Sequence, residues 1–104
     1  MKLLTAEIKK NMPKLRANEQ KLPKDTPIVV KFFHTMSDWT WYVTEGELQA
    51  DGDWLFFGLV RGFENELGYF HLSELEAIKV SGLGIERDMY FGEHMLSEAQ
   101  AGRI

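Results

Sequence analysis

Residues 54–75, WLFFGLVRGFENELGYFHLSEL, are the stretch around which the rest of the chain is organised. Residues 54–60 are apolar on both alternating faces, which is typical of a central strand that is covered on both sides. Residues 62–65 are turn-forming types, and the strand pattern resumes at Leu67. Ser73 and Glu76 have the spacing of a capping box, which predicts that a helix starts there. The stretch therefore predicts two strands, the turn between them and a helix, and it names no reaction.

The flanking sequence predicts further strands on both sides of this stretch. Thr5 is a suitable cap for a short N-terminal helix, residues 5–12, which Pro13 ends. Alternating or continuous apolar patterns predict strands over residues 28–33, 39–45 and 85–91. We therefore predict a single α+β domain with an antiparallel meander sheet of about five strands, a short N-terminal helix and a short helix after strand four. The helices are expected on one face or edge of that sheet.

The predicted domain spans residues 1–104 and divides into segments of different character. The segments are the N-terminal helix 5–12, an exposed polar loop or linker 17–27, the sheet core 28–91 and a tail 92–104. The tail either forms a helical turn after Ser97 or frays. Within the core, Trp41 and Phe56 should both be nearly buried and lie on neighbouring antiparallel strands, because their strands are consecutive and joined by a turn.

Composition narrows the class of protein. The 104 residues suffice for one modest core, and no apolar run approaches the length of a membrane span, so we expect no membrane association. The chain has no cysteine, which excludes disulfides, thiolate catalysis and cysteine metal sites. This composition fits a reducing compartment, and we expect the protein in the cytoplasm.

Charge is distributed unevenly along the chain. Residues 1–31, the basic segment, hold eight basic and three acidic side chains, whereas residues 32–104, the acidic segment, hold four basic and thirteen acidic ones. The first could bind a polyanion and the second a basic protein, or the two simply attract each other on one surface. An isoelectric point near 5.3 makes direct nucleic-acid binding an unfavoured interpretation.

The order of several motifs resembles a known family. These motifs are KFF at 31–33, WTWYVTE at 39–45, FFGLVRGFENELGYFHLSELE at 56–76 and GLGIERDMYF at 82–91. In this order and at this length they resemble DUF2958, a bacterial family of unknown function, from Leu3 to Phe91. The resemblance implies a small cytoplasmic bacterial protein, often associated with plasmids and other mobile elements, and it implies no activity.

No pattern of catalytic or metal-binding residues stands out. The only histidines, His34, His71 and His94, lack the spacing of metal ligands, and the serines lie outside any nucleophile elbow. Paired acids such as Glu86 and Asp88 are better explained as a solvated strand face. We therefore expect no metal, no cofactor and no catalytic residue, and the sequence favours a protein that is not an enzyme.

Aromatic residues are the most informative candidates for binding. They are too numerous for one sheet face, so most should be core, and a remainder could form a surface patch that anchors an interface. We choose Trp39 and Tyr42 as the exposed aromatics, with Glu45 and Arg61 as charged neighbours.

Three functions remain open at the level of sequence. The favoured one is an adaptor module that binds an unidentified protein partner. The second is a nucleic-acid-related role, either as a DNA mimic that inhibits a DNA-binding protein or as a weak DNA binder. The third is a small-molecule pocket around Trp41, Tyr42 and Glu45.

Overall fold

The computed structural model describes all residues, 1–104, and confirms the α+β prediction. Its α-helices and strands, in chain order, are α1 (Ala6–Asn11), β1 (Val30–His34), β2 (Thr40–Leu48), β3 (Trp54–Arg61), β4 (Asn65–His71), α2 (Leu72–Ala77), β5 (Lys79–Val80), β6 (Leu83–Arg87) and α3 (Leu96–Gln100). A single 3-10 turn spans Pro23–Asp25. No helix is long or apolar enough to cross a membrane.

The strands form one antiparallel sheet of six in the order β4-β3-β2-β1-β6-β5. β1 to β4 make the predicted meander, because each is joined to the next by a short connection. The chain then returns through α2, and β6 pairs with the free side of β1, where Phe33 faces Glu86. β6 ends at Arg87, so the strand predicted over residues 85–91 is shorter than expected at its C-terminal end.

One face of the sheet carries the larger core. Its buried side chains are Leu3, Leu4, Met12, Val30, Phe32, Trp41, Val43, Phe56, Phe70, Leu75 and Ile85. The N-terminal segment with α1 and the helix α2 cover this face. Trp41 and Phe56 are buried on adjacent strands, which confirms the prediction for the core.

The opposite face carries a smaller core beneath α3. Its buried side chains are Ile28, Tyr42, Leu59, Leu96 and Ala99. The two predicted helices therefore share one face of the sheet, and α3 covers the other face. The C-terminal tail supplies the second layer, because Leu96 and Ala99 bury themselves on apolar side chains that β2 and β3 turn away from the first core.

A bulge in β2 explains the glycine in the middle of β3. The register between β2 and β3 shifts between Val43 and Glu45, directly after the pair of Val43 with Gly58. A Cβ atom at Gly58 would collide with the carbonyl oxygen of Tyr42. Gly58 thus permits a close approach of one strand to another.

Helix α2 starts earlier than the sequence predicted. β4 continues into the helix without a loop, and Glu74, not Glu76, reaches back to the first turn. Its Oε1 accepts a hydrogen bond of 3.0 Å from the main-chain N–H of His71. Ser73 is consequently inside the helix and does not cap it. At α1 the predicted cap is present, since Thr5 Oγ1 accepts from the N–H of Ile8 at 3.2 Å.

Candidate protein-binding surface

Two aromatic side chains meet at one end of the sheet. Trp39 lies just before β2, and Phe63 lies at the tip of the β3–β4 hairpin. Their rings are 5.5 Å apart at an interplanar angle of 83°, the edge-to-face arrangement that aromatic pairs prefer. Phe63 is nevertheless 95% exposed. The Phe63 ring therefore contacts Trp39 and is otherwise exposed to solvent.

Local geometry fixes this pair. The pairing of Thr40 with Arg61 places the start of β2 beside the hairpin that follows β3. A Cβ atom at Gly62 would collide with the indole ring, so the glycine lets Trp39 lie directly on the hairpin backbone. On its other side Trp39 packs against Trp41, with ring centroids 5.9 Å apart. Trp39 therefore joins the exposed ring to the core.

A shallow hollow beside these rings has an acidic rim. It has a volume of about 300 Å³ and is lined by Trp39, Val60, Phe63, Glu64 and Glu66. We call it the Trp39–Phe63 hollow. No basic side chain lines it, so neither carboxylate is paired within it. Aromatic faces and unpaired carboxylates together attract a cation that carries apolar groups.

Tyr42 and Arg61 do come together, but inside the protein. Tyr42 is only 1% exposed, so the choice of this residue as a surface aromatic is wrong. Its hydroxyl donates to the main-chain oxygen of Ile104 at 2.8 Å. Arg61 donates to that same oxygen at 2.8 Å, to the Tyr42 hydroxyl at 2.9 Å and to the Ala99 carbonyl at 2.7 Å. Burial raises the pKa of Tyr42, and the nearby guanidinium opposes this shift.

Glu45 is also internal, and it binds main-chain amides. The residue is only 4% exposed. One carboxylate oxygen accepts from the N–H of Arg16 at 2.7 Å and the other from the N–H of Asn18 at 2.9 Å. The Asn18 side chain then donates to the Thr44 carbonyl at 3.2 Å. Residues 17–27 are therefore not a free loop, because this part of the chain is tied to the bulged strand.

The four chosen residues do not form one site. Tyr42 and Arg61 fasten the C-terminal segment, Glu45 fastens the loop after Pro13, and Trp39 lies on the opposite face of the sheet. Trp41 and Tyr42 are consecutive residues of β2, so their side chains point to opposite faces of the sheet. The pocket proposed around Trp41, Tyr42 and Glu45 therefore does not form. The cavity that Glu45 does line, about 340 Å³, is lined by neither of those aromatics.

Sequence reasoning missed Phe63, Glu64 and Glu66. A usable signal was present, because an aromatic residue at the tip of a tight hairpin has no core to face. Phe63 follows Gly62 directly in the predicted turn, and acidic residues flank it on the C-terminal side. Residues 62–65 were predicted only as a turn, and Phe63 was therefore not chosen as a binding residue.

A second polar cluster lies near the start of α2, and its hydrogen bonds give it a structural role. Ser73 Oγ donates to Asp53 Oδ2 at 2.5 Å, and this bond lowers the pKa of Asp53. His71 Nδ1 lies 2.9 Å from Glu74 Oε1, and this contact lowers the pKa of Glu74. The His71 imidazole therefore contacts Glu74, and the Ser73 hydroxyl contacts Asp53. No group of three or more His, Asp or Glu side chains could hold a metal ion.

One known protein family matches nearly the whole chain. The model of a family described as protein of unknown function, DUF2958, matches residues 3–101. No curated protein and no solved structure matches the chain.

Proposed function

Because the chain belongs to the DUF2958 family, whose description names no activity, we propose from its surface that it is a binding module that docks a protein partner at the Trp39–Phe63 hollow. The observation that carries the proposal is the exposure of Phe63, 95%, beside Trp39, which its ring contacts edge to face. An exposed aromatic ring has few rotatable bonds to order on binding and a large apolar area to bury.

The hollow favours a basic side chain on the partner. Glu64 and Glu66 line it beside two aromatic rings, and no basic residue of the chain does. A lysine or arginine of the partner would place its charge against the rings and carboxylates while its methylene groups contact Val60. A cation over an aromatic face contributes about 0.5–1 kcal/mol at exposed sites and about 2 when it is desolvated.

Charge in the rest of the molecule supports the same kind of partner. Residues 32–104, which include the hollow, hold thirteen acidic and four basic side chains. Such an excess attracts a basic surface over about 8 Å at physiological salt. The association rate should therefore fall when salt is added.

The setting of this module is part of the proposal. A bacterial cytoplasmic location fits a chain without cysteine, and the resemblance of its motifs to DUF2958 supports a link to mobile elements. A nucleic-acid-related role is the alternative.

NMR titration with N-acetyl-lysine methylamide and N-acetyl-arginine methylamide tests the chemistry of the hollow directly. We expect the indole N–H signal of Trp39 to shift in a saturable way, with a dissociation constant on the order of 10⁻³ M. Phe63→Ser and Glu64→Gln/Glu66→Gln should each abolish the shift without lowering thermal stability, because these side chains are exposed.

Tyr90→Ser is the matched control, because Tyr90 is an aromatic residue that is 92% exposed elsewhere on the surface. This variant should bind both amides as the wild type does. Equal loss of binding in the Phe63 and Tyr90 variants, or no saturable shift in the wild type, would show that the hollow is not a binding site.

A further inference from the structure

The outer edge of β4 is open and long. β4 is the end strand of the sheet and runs for seven residues, Asn65–His71. The opposite end strand, β5, has only two residues, one of them Lys79. Short edges and edge lysines are the usual protections against strand pairing. The chain has both at β5 and neither at β4.

Main-chain groups along β4 point outward at alternate residues. The N–H of His71 bonds to the Glu74 side chain, so it points away from β3. In an antiparallel ladder the direction alternates along the strand, so the N–H and C=O groups of Leu67 and Tyr69 also face the open edge. The pairing of β4 with β3 is continuous from Asn65 to His71, with no bulge to twist the edge away.

The side chains beside these groups are apolar and exposed. Leu67 is 47% exposed and Tyr69 is 60% exposed, and both lie on the same face of the sheet. The Tyr69 ring packs on Phe57 with centroids 4.9 Å apart, so it is already oriented. The edge therefore combines unsatisfied main-chain groups with an ordered apolar strip.

We propose that a second copy of this chain pairs with β4 in antiparallel orientation, about a two-fold axis at Gly68. In this register Leu67 of each chain faces Tyr69 of the other, and each of these two pairs exchanges both of its main-chain hydrogen bonds. Gly68 faces its own copy across the axis in a non-hydrogen-bonded pair, where the backbones come closest. The sheets of two chains become one.

The register suits a second copy because the strand is complementary to itself. Each exposed Leu67 gains an aromatic cross-strand neighbour, which is a stabilising pair. Glu66 faces Phe70 and Asn65 faces His71, so no two like charges are opposed. A two-fold interface requires this match of one patch with itself. Glu66 is the one residue that the pairing shares with the Trp39–Phe63 hollow, since Leu67 and Tyr69 point to the other face.

Sedimentation equilibrium of the wild type and two charge variants tests the pairing. We expect the wild type to form dimers within the concentration range measured, which extends to about 1 mM. Leu67→Lys/Tyr69→Lys opposes like charges across the axis, as does Leu67→Glu/Tyr69→Glu, so each variant should dimerise at least about tenfold more weakly. An equimolar mixture of the two should recover the dimer, because every lysine then faces a glutamate.

Val80→Lys/Leu83→Lys is the matched control, because it also places two lysines at apolar positions of comparable exposure, in β5 and β6 at the other end of the sheet. It should dimerise like the wild type. A wild type that stays monomeric throughout the range would overturn the proposal. So would a dimer that the Leu67/Tyr69 variants leave intact, or variants that fold by circular dichroism but do not associate when mixed.

Discussion

Glu45 shows how one buried carboxylate can organise a loop. Its two oxygens accept from the N–H groups of Arg16 and Asn18, and no cation lies against it. Arg16 has a φ of 73°, a left-handed conformation that is unfavourable for residues other than glycine. The hydrogen bonds of Glu45 hold this turn in place. Two main-chain donors are thereby satisfied away from water, which is the condition for a buried carboxylate to be stable.

Glu45→Gln should lower the free energy of unfolding by about 1–3 kcal/mol. The amide nitrogen of glutamine cannot accept a hydrogen bond, so one main-chain N–H loses its partner. Urea unfolding measures the change, and hydrogen exchange at the Arg16 and Asn18 amides should accelerate. Glu47→Gln, at an exposed position on the same strand, should alter neither quantity. Equal stability of the two variants would show that the carboxylate does not hold the loop.

The helix α3 depends on β3 for its position. α3 has only five residues, too few to be stable alone. Leu96 and Ala99 bury its apolar side, and Arg61 donates to the carbonyl of Ala99 near its C-terminal end. A cation at this end also interacts favourably with the helix dipole. The C-terminal segment is thus both packed and hydrogen-bonded to the strand beneath it.

Arg61→Lys should loosen α3 while leaving the sheet intact. A lysine has a single ammonium group and cannot reproduce the planar fork that bonds Ala99, Ile104 and Tyr42 together. We expect a loss of about 1–3 kcal/mol in unfolding free energy and faster hydrogen exchange confined to residues 96–104. Arg103→Lys, at an exposed position, serves as the control. Unchanged exchange in this segment would contradict the anchoring role.

The basic side chains of the N-terminal segment do not lie on one continuous helix. α1 ends at Asn11, before Pro13, so Lys9 and Lys10 lie on the helix while Lys14 lies beyond the break. Lys31 pairs with Asp88 at 3.6 Å, one contact that joins the basic and acidic segments. The basic side chains are therefore divided between separate elements.

We predict that duplex DNA binds no more tightly than about 10⁻⁵ M at physiological salt, which is within the non-specific range. The acidic segment repels the duplex, and the few available phosphate contacts give a log–log salt slope near −0.9 for each phosphate neutralised. Fluorescence anisotropy with a labelled duplex measures both. Sub-micromolar binding that weakens in Lys9→Glu/Lys10→Glu would favour the nucleic-acid-related role over the binding module.

Strands, turns and the main core could be predicted because their signals are local. Alternation of apolar residues depends only on neighbours in sequence, and so does the pairing of consecutive strands. This is why Trp41 and Phe56 were correctly predicted to be buried on neighbouring strands. The start of α2 was missed by two residues because β4 runs into the helix without a loop. The residue whose side chain caps the first turn is therefore Glu74 and not Glu76.

The roles of the polar residues depended on contacts between distant parts of the chain. Glu45 meets amides 27 and 29 positions away, and Arg61 meets carbonyls 38 and 43 positions away. No periodic pattern encodes such separations, so both residues were predicted to be surface charges. Tyr42 was predicted to be a surface aromatic because the sequence near it does not indicate that α3 packs over it. The reverse holds for Phe63: its sequence type indicates burial, but the hairpin tip carries it beyond the reach of any covering segment.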